Sequence, residues 1–158
     1  MVGSTATHDD MAVPNRRHEL NAPRTKGACM LSSFRKMRVY QQALDALVLV
    51  NRLCLRLPKD FMFVADQARR AASSVVLNTT EGAAEDRPLE KARMYRLARR
   101  SGWETQAALE IGVRLEVFDA ADVAVADEEL NRVCAMLWTM NARARSRAAD
   151  ERRATRKR

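Results

Sequence analysis

Between Gln67 and Gly82 five polar side chains recur at helical spacing. Gln67, Arg70, Ser74, Asn78 and Glu81 stand three, four, four and three residues apart. At 3.6 residues per turn, that spacing puts all five on one stripe of a single helix. Ala71 beside them is small enough to let another helix come close. A line of polar groups flanked by Ala, Ser and Val is a poor match for ordinary solvated surface. It predicts a hydrogen-bonded seam between helices, with Gly82 closing the helix in the left-handed C-terminal position. Arg70 would then pair with Glu81 of its own helix or with Glu104 of a later one. Its removal would cost about 3–5 kcal/mol if it left a buried acid unpaired. The other reading of the stripe is a recognition groove for a ligand or nucleic acid.

The remaining chain is also patterned for helices. Aromatic residues make up only 5% of the sequence, while Ala, Leu and Arg are abundant, and that mix favours helix over sheet. Residues 1–33 combine Gly, Pro, Asn, Ser, Thr and His without a period and read as a disordered leader. The fold is expected to begin near Phe34, whether translation starts at Met1 or near Met30.

Helix one is predicted over Ser33–Leu57. Tyr40, Ala43, Leu47, Val50, Cys54 and Leu57 form a heptad seam. Val39, Ala46 and Leu53 lie on another face, with Leu44, Val48 and Leu55 beyond it. A small monomeric bundle rarely needs so much apolar surface, so the surplus predicts a contact between subunits. Pro58 ends this helix.

Helix two is predicted over Asp60–Thr80, with Asp60 as its cap, and helix three over Pro88–Val117. Gly102 and Gly112 cost helix three about 1 kcal/mol each in propensity, which a close helix crossing would explain. Phe118–Ala126 reads as a loop. Helix four is predicted from Asp127, fraying after about Ser146 into a basic tail. Four helices with short connections predict an all-α, antiparallel up-down-up-down bundle over residues 34–141.

Charge is unevenly spread. Of the net +8, residues 34–141 carry only +1, from sixteen Lys/Arg against fifteen acids, while residues 142–158 hold eight against two. The basicity is therefore a C-terminal feature: Arg143, Arg145, Arg147, Arg152, Arg153, Arg156, Lys157 and Arg158. Such arms bind nucleic-acid phosphates without sequence preference, and neutralising about six phosphates predicts a log–log salt slope of about −4 to −5. Helix three adds Arg87, Lys91, Arg93, Arg96, Arg99 and Arg100, of which Arg93, Arg96 and Arg100 can share a face. Repetition of that patch around an oligomer would add avidity. The plain alternatives are a solvated helix face and a solubilising end.

Enzyme chemistry finds little purchase. Both histidines, His8 and His18, fall in the leader, so Ser-His, Cys-His and Glu-x-x-His arrangements are excluded from the predicted fold. A carboxylate site from Glu81, Glu85, Asp86 and Glu104 reads instead as solvated or capping acids. Cys29, Cys54 and Cys134 are far apart and read as reduced thiols in a cytoplasmic protein. No apolar run approaches the roughly 20 residues of a membrane span. No catalytic residue, cofactor or metal is assigned.

Five groups of residues carry a family resemblance over about residues 34–141. Phe34, Tyr40-Gln41 and Ala43 come first, followed by Leu57-Pro58-Lys59. The most specific is Gln67-x-x-Arg70-Ala71-x-x-Ser74-x-x-x-Asn78-x-x-Glu81-Gly82. Ala98 to Glu104, with Ser101 and Glu104 in place, and Arg132-Val133-x-x-Met136-Leu137 add to it. Together they resemble the four-helix-bundle proteins encoded in 23S rRNA intervening sequences. Two positions depart: Arg100 stands where that family usually has Gly, and Ala83-Ala84 where it has Gly-Arg. The resemblance implies a homopentameric barrel and kinship with the nucleic-acid-binding accessory proteins of diversity-generating retroelements, whose partner is a reverse transcriptase. The expected function is a non-enzymatic, oligomeric adapter bound to RNA or DNA. The alternative is a scaffold that recruits a protein encoded nearby without touching nucleic acid.

Overall fold

The structure, a computed structural model, describes residues 34–156. The leader, with Cys29 and both histidines, lies outside the described residues, as do Lys157 and Arg158. Among the described residues there are four α-helices: α1 Arg38–Cys54, α2 Met62–Ala84, α3 Pro88–Arg114 and α4 Ala120–Arg156. Single 3-10 turns, Phe34–Lys36 and Lys59–Phe61, precede α1 and α2. Each helix packs on the next, and α1 also packs on α4, so the four enclose one interior.

Apolar spacing selects the buried face of each helix. On α1 it is Val39, Ala43, Ala46, Val50, Leu53 and Cys54. The two apolar sets expected on different faces thus share one buried arc, while Val48 and Leu55 stay 48% and 70% exposed. One part of the core gathers Val50, Val64, Leu109, Phe118 and Leu130. The other gathers Val39, Val75, Tyr95, Val133 and Leu137. Cys54 and Cys134 are buried free thiols, and burial pushes both pKa values up, so they stay protonated.

Several expected boundaries move, each for a local reason. Helix α1 stops at Cys54 rather than Leu57: Leu55 keeps helical angles, but Arg56 N and Leu57 N donate to Leu53 O and Cys54 O in tighter turns, and Pro58 disfavours a helical Leu57. Asp60 sits in a 3-10 turn and caps nothing by its side chain. Gly82 does not end α2: it is a helical residue, and the helix continues to Ala84. Its role is closeness. A Cβ there would lie 2.6 Å from Tyr95 Cε1 and 2.7 Å from Cδ1, so the bare backbone makes room for a buried ring. Behind it, Lys91 Nζ donates to the Ala83 carbonyl at 3.3 Å, meeting one of the open carbonyls at the end of α2.

Helix α3 ends at Arg114, three residues earlier than expected. Glu116 takes the left-handed position (φ 56°), Glu116 N donates to Val113 O, and Val117 N donates to Gly112 O at 3.0 Å. That is the Schellman pattern, here without glycine at its left-handed residue. Phe118 folds back onto Gly112, where an added Cβ would sit 2.1 Å from its ring. Gly112 therefore serves the turn after α3, whereas Gly102 serves a true crossing, against Cys134 Sγ of α4.

The expected loop Phe118–Ala126 is mostly helix. Asp119 Oδ1 accepts the Ala121 amide at 2.7 Å, and α4 starts at Ala120, seven residues before the expected Asp127. Val123, Ala126, Leu130, Val133 and Leu137 then bury one continuous stripe. Ala144 and Ala148 carry that stripe onward, so the expected fraying after Ser146 is replaced by helix through Arg156. At 37 residues α4 is about 55 Å long.

Candidate nucleic-acid interface

Helix α3 has two working faces. Its inner face is built from small residues: Ala98, Ser101, Gly102, Thr105, Ala108 and Gly112 are all buried. Helix α2 answers with Ala68, Ala71, Ala72, Val75, Thr79 and Gly82. Buried hydroxyls on this face turn inward to their own helices: Thr79 Oγ1 donates to Val75 O at 2.7 Å and Thr105 Oγ1 to Ser101 O at 2.8 Å. That leaves the packed surfaces apolar and lets the helices approach.

The predicted polar seam flanks this contact instead of filling it. Gln67, Ser74 and Asn78 are half-buried, while Arg70, Glu81 and Glu104 are exposed. Gln67 Nε2 donates to Glu104 Oε1 across the two helices. Arg70 Nη2 donates to Gln67 Oε1 at 3.4 Å, so it reaches Glu104 only through Gln67. Asn78 Nδ2 donates to Ser74 O at 2.8 Å, within its own helix. The buried Arg70 ion pair is thus corrected to an exposed relay. The reason is steric: with alanines and glycines at the contact line, no space remains there for an arginine.

Near its N-terminal end, the outer face of α3 meets α4. Arg93 and Arg96 from α3 and Asn141 and Arg145 from α4 line an open cleft of about 300 Å³, with Leu89, Glu90 and Ala92. Asn141 Nδ2 donates to the Ala92 carbonyl at 2.5 Å and ties the two walls together. Glu90 accepts from Arg93 Nε at 2.9 Å, one acid against three arginines. Arg100 is exposed on the same helix, one residue past Arg99. Two expected members leave the patch: Lys91 caps α2, and Arg87 folds onto Glu85 at the α2–α3 turn. Donation from the Arg87 side chain and then its amide draws the Glu85 pKa down to about 2.

Arg99 lies between two indoles. Its guanidinium carbon is 4.9 Å from the Trp103 ring centroid and 4.4 Å from that of Trp138. Trp138 is 60% exposed and Trp103 54%. The rest of the basic extension, Arg143, Arg147, Arg152, Arg153 and Arg156, is exposed along α4. Arg145, Arg152 and Arg156, spaced seven and four residues apart, share one face. Arg147 leans on Glu151 at 3.4 Å.

The residues that carry the resemblance lie in one continuous stretch of this fold, and the family model for the 23S rRNA-intervening sequence protein matches residues 35–139. The chain belongs to that family. No curated protein matches it. The matched stretch contains Arg93, Arg96, Arg100, Ser101, Glu104, Trp103 and Trp138. Asn141 and Arg145, the α4 wall of the cleft, lie just past it, as does the whole basic extension. The two departures from the family pattern fall on helix: Arg100 is exposed on α3, and Ala83-Ala84 form the last residues of α2. Among the described residues no three of His, Cys, Asp and Glu converge as metal ligands, so Glu81, Glu85, Asp86 and Glu104 form no shared site. No helix among them is long and apolar enough to cross a membrane.

Sequence reasoning singled out Arg93, Arg96, Arg100 and Arg145 and counted Arg99 among the basic residues of helix three, but it missed Trp103, Trp138 and Asn141 as site residues. The available signal was compositional. With aromatics at 5%, a chain that places both of its tryptophans next to arginine-rich helix is using them for something other than bulk core.

Proposed function

We propose that this chain is a non-enzymatic adapter that binds nucleic acid, RNA above all, as a homo-oligomer. The observation that carries the reading is the cleft in which Arg93 and Arg96 of α3 meet Arg145 of α4. Three guanidiniums around one opening, offset by a single carboxylate, form an electropositive site suited to phosphate. The helical extension beyond it adds Arg152 and Arg156 on the same face. The family name, tied to sequences within 23S rRNA, favours RNA over DNA.

Residue pairs between neighbouring helices support the up-down-up-down order: Asn51 with Arg69, Gln67 with Glu104, and Asn141 with Ala92. Exposed apolar side chains on α1, just after it and on α2, namely Val48, Leu55, Phe63 and Leu77, support self-association. The number five comes from the resemblance, and light scattering checks it. The same apolar surface favours the second reading, a scaffold whose partner is a protein such as a reverse transcriptase.

The test is binding of single-stranded RNA by the full-length chain across a salt series. The triple substitution Arg93→Ala, Arg96→Ala, Arg145→Ala should weaken binding and flatten the log–log salt slope by about 2, three contacts at about 0.7 each. Binding that ignores salt, or an unchanged slope in the triple variant, rejects the reading in favour of the scaffold.

A further inference from the structure

The cleft accounts for phosphates, and the cluster beside it bears on what the phosphates carry. Trp103 and Trp138 flank the Arg99 guanidinium, and stacking on it holds both indoles in fixed orientations while more than half of each stays exposed. Arg99 Nε is buried and has no hydrogen-bond partner among the described residues, so this guanidinium is held by its two rings and not by an acid. Arg93, Arg96, Arg99 and Trp103 follow one another at three, three and four residues, along one side of α3. From Arg93 to Trp103 the helix rises about 15 Å, the reach of a few nucleotides.

We propose that Trp103 and Trp138 are a stacking platform for unpaired bases, and that the same strand continues into the Arg93–Arg96–Arg145 cleft. The ligand is then single-stranded nucleic acid. This rests on the nucleic-acid reading above and narrows it. A duplex hides the faces of its bases inside its own stack, so open indoles have nothing to grip there; unpaired bases offer a face to every ring. Charge favours this occupant over a second copy of the chain. A two-fold contact through this face would bring Arg93, Arg96, Arg100 and Arg145 against their own copies.

The chain has two tryptophans, and both are in the platform, so intrinsic fluorescence reports on it directly. The full-length protein is titrated with an oligouridylate of about ten nucleotides, and separately with an RNA duplex of the same length. The expected result is quenching by the single strand and tighter binding of it than of the duplex. Trp103→Ala and Trp138→Ala should each weaken single-strand binding about tenfold. Duplex affinity and the salt slope should not move. Because both rings are largely exposed, melting followed by circular dichroism should show both variants folded.

Equal affinity for the two RNAs, with no quenching, overturns the platform and leaves the nucleic-acid reading standing. Failure of both RNAs to bind overturns both. Tryptophan emission that shifts on protein dilution, with a smaller assembly for Trp138→Ala in sedimentation, assigns the cluster to a contact between copies and also overturns it.

Discussion

The two faces of α3 were built under opposite demands. Toward α2 the helix presents Ala98, Ser101, Thr105 and Ala108, and every position is small and buried. Toward solvent and α4 it presents the exposed Arg93, Arg96, Arg100 and Trp103, which keep their charged or aromatic ends accessible around a half-buried Arg99. The inner face gains stability by excluding bulk and water. The outer face gains nothing from burial, and its arginines remain available to an anion. One helix can therefore hold the fold together and present a surface, provided substitutions on the two sides have separable effects.

The largest separation is expected from Leu109→Ala. This fully buried side chain sits in the core with Phe118 and Leu130, and truncation should cost about 2–5 kcal/mol in denaturant unfolding. Arg100→Ala on the exposed side should stay within about 0.5 kcal/mol. If the two cost the same, α3 does not have two faces.

Gly82→Ala comes next. The new methyl would meet the ring of Tyr95, itself buried and unable to swing aside, so overpacking of about 1–3 kcal/mol outweighs the helix propensity gained. A variant more stable than the parent would show that α2 and α3 can separate there.

Arg70→Ala sharpens the status of the polar stripe. As an exposed relay through Gln67 it should cost no more than about 0.5 kcal/mol. A loss of 3 kcal/mol or more would restore the buried ion pair.

The smallest effect belongs to the turn between the two helices. Glu85 has a folded pKa near 2, below the value of about 4.3 expected in the unfolded chain, so its carboxylate favours the fold above that value. The contribution disappears as pH falls toward 2. A carboxyl NMR titration of Glu85 should show the depressed midpoint, and Arg87→Ala should raise it only part of the way to the ordinary range, because the backbone amide of residue 87 still donates.

Much of this was legible in the residues. The apolar positions Val50, Val75, Leu109, Leu130 and Leu137 announce themselves by spacing, and all five are fully buried. Pro88 marks the start of α3. The start of α4 was harder to see, because Ala120–Ala126 offers short side chains and only Val123 and Ala126 to suggest a period; burial against the core decided it. Gly82 misled for a similar reason. A glycine after a polar helix usually ends it, yet here the ring of Tyr95, thirteen residues later, required the missing side chain.

The site followed the same division. Arg93 and Arg96 could be placed on one face from their spacing alone. That Arg145 would join them, and that Arg99 would lie between Trp103 and Trp138, depended on the register of α3 against α4. Periodicity is a property of one helix, so the chain by itself determined that four helices form, which residues they bury and where positive charge accumulates. Register between helices is set by which side chains interlock across them. Only tertiary packing decided that the polar stripe borders the α2–α3 contact and that the arginines and tryptophans form one surface.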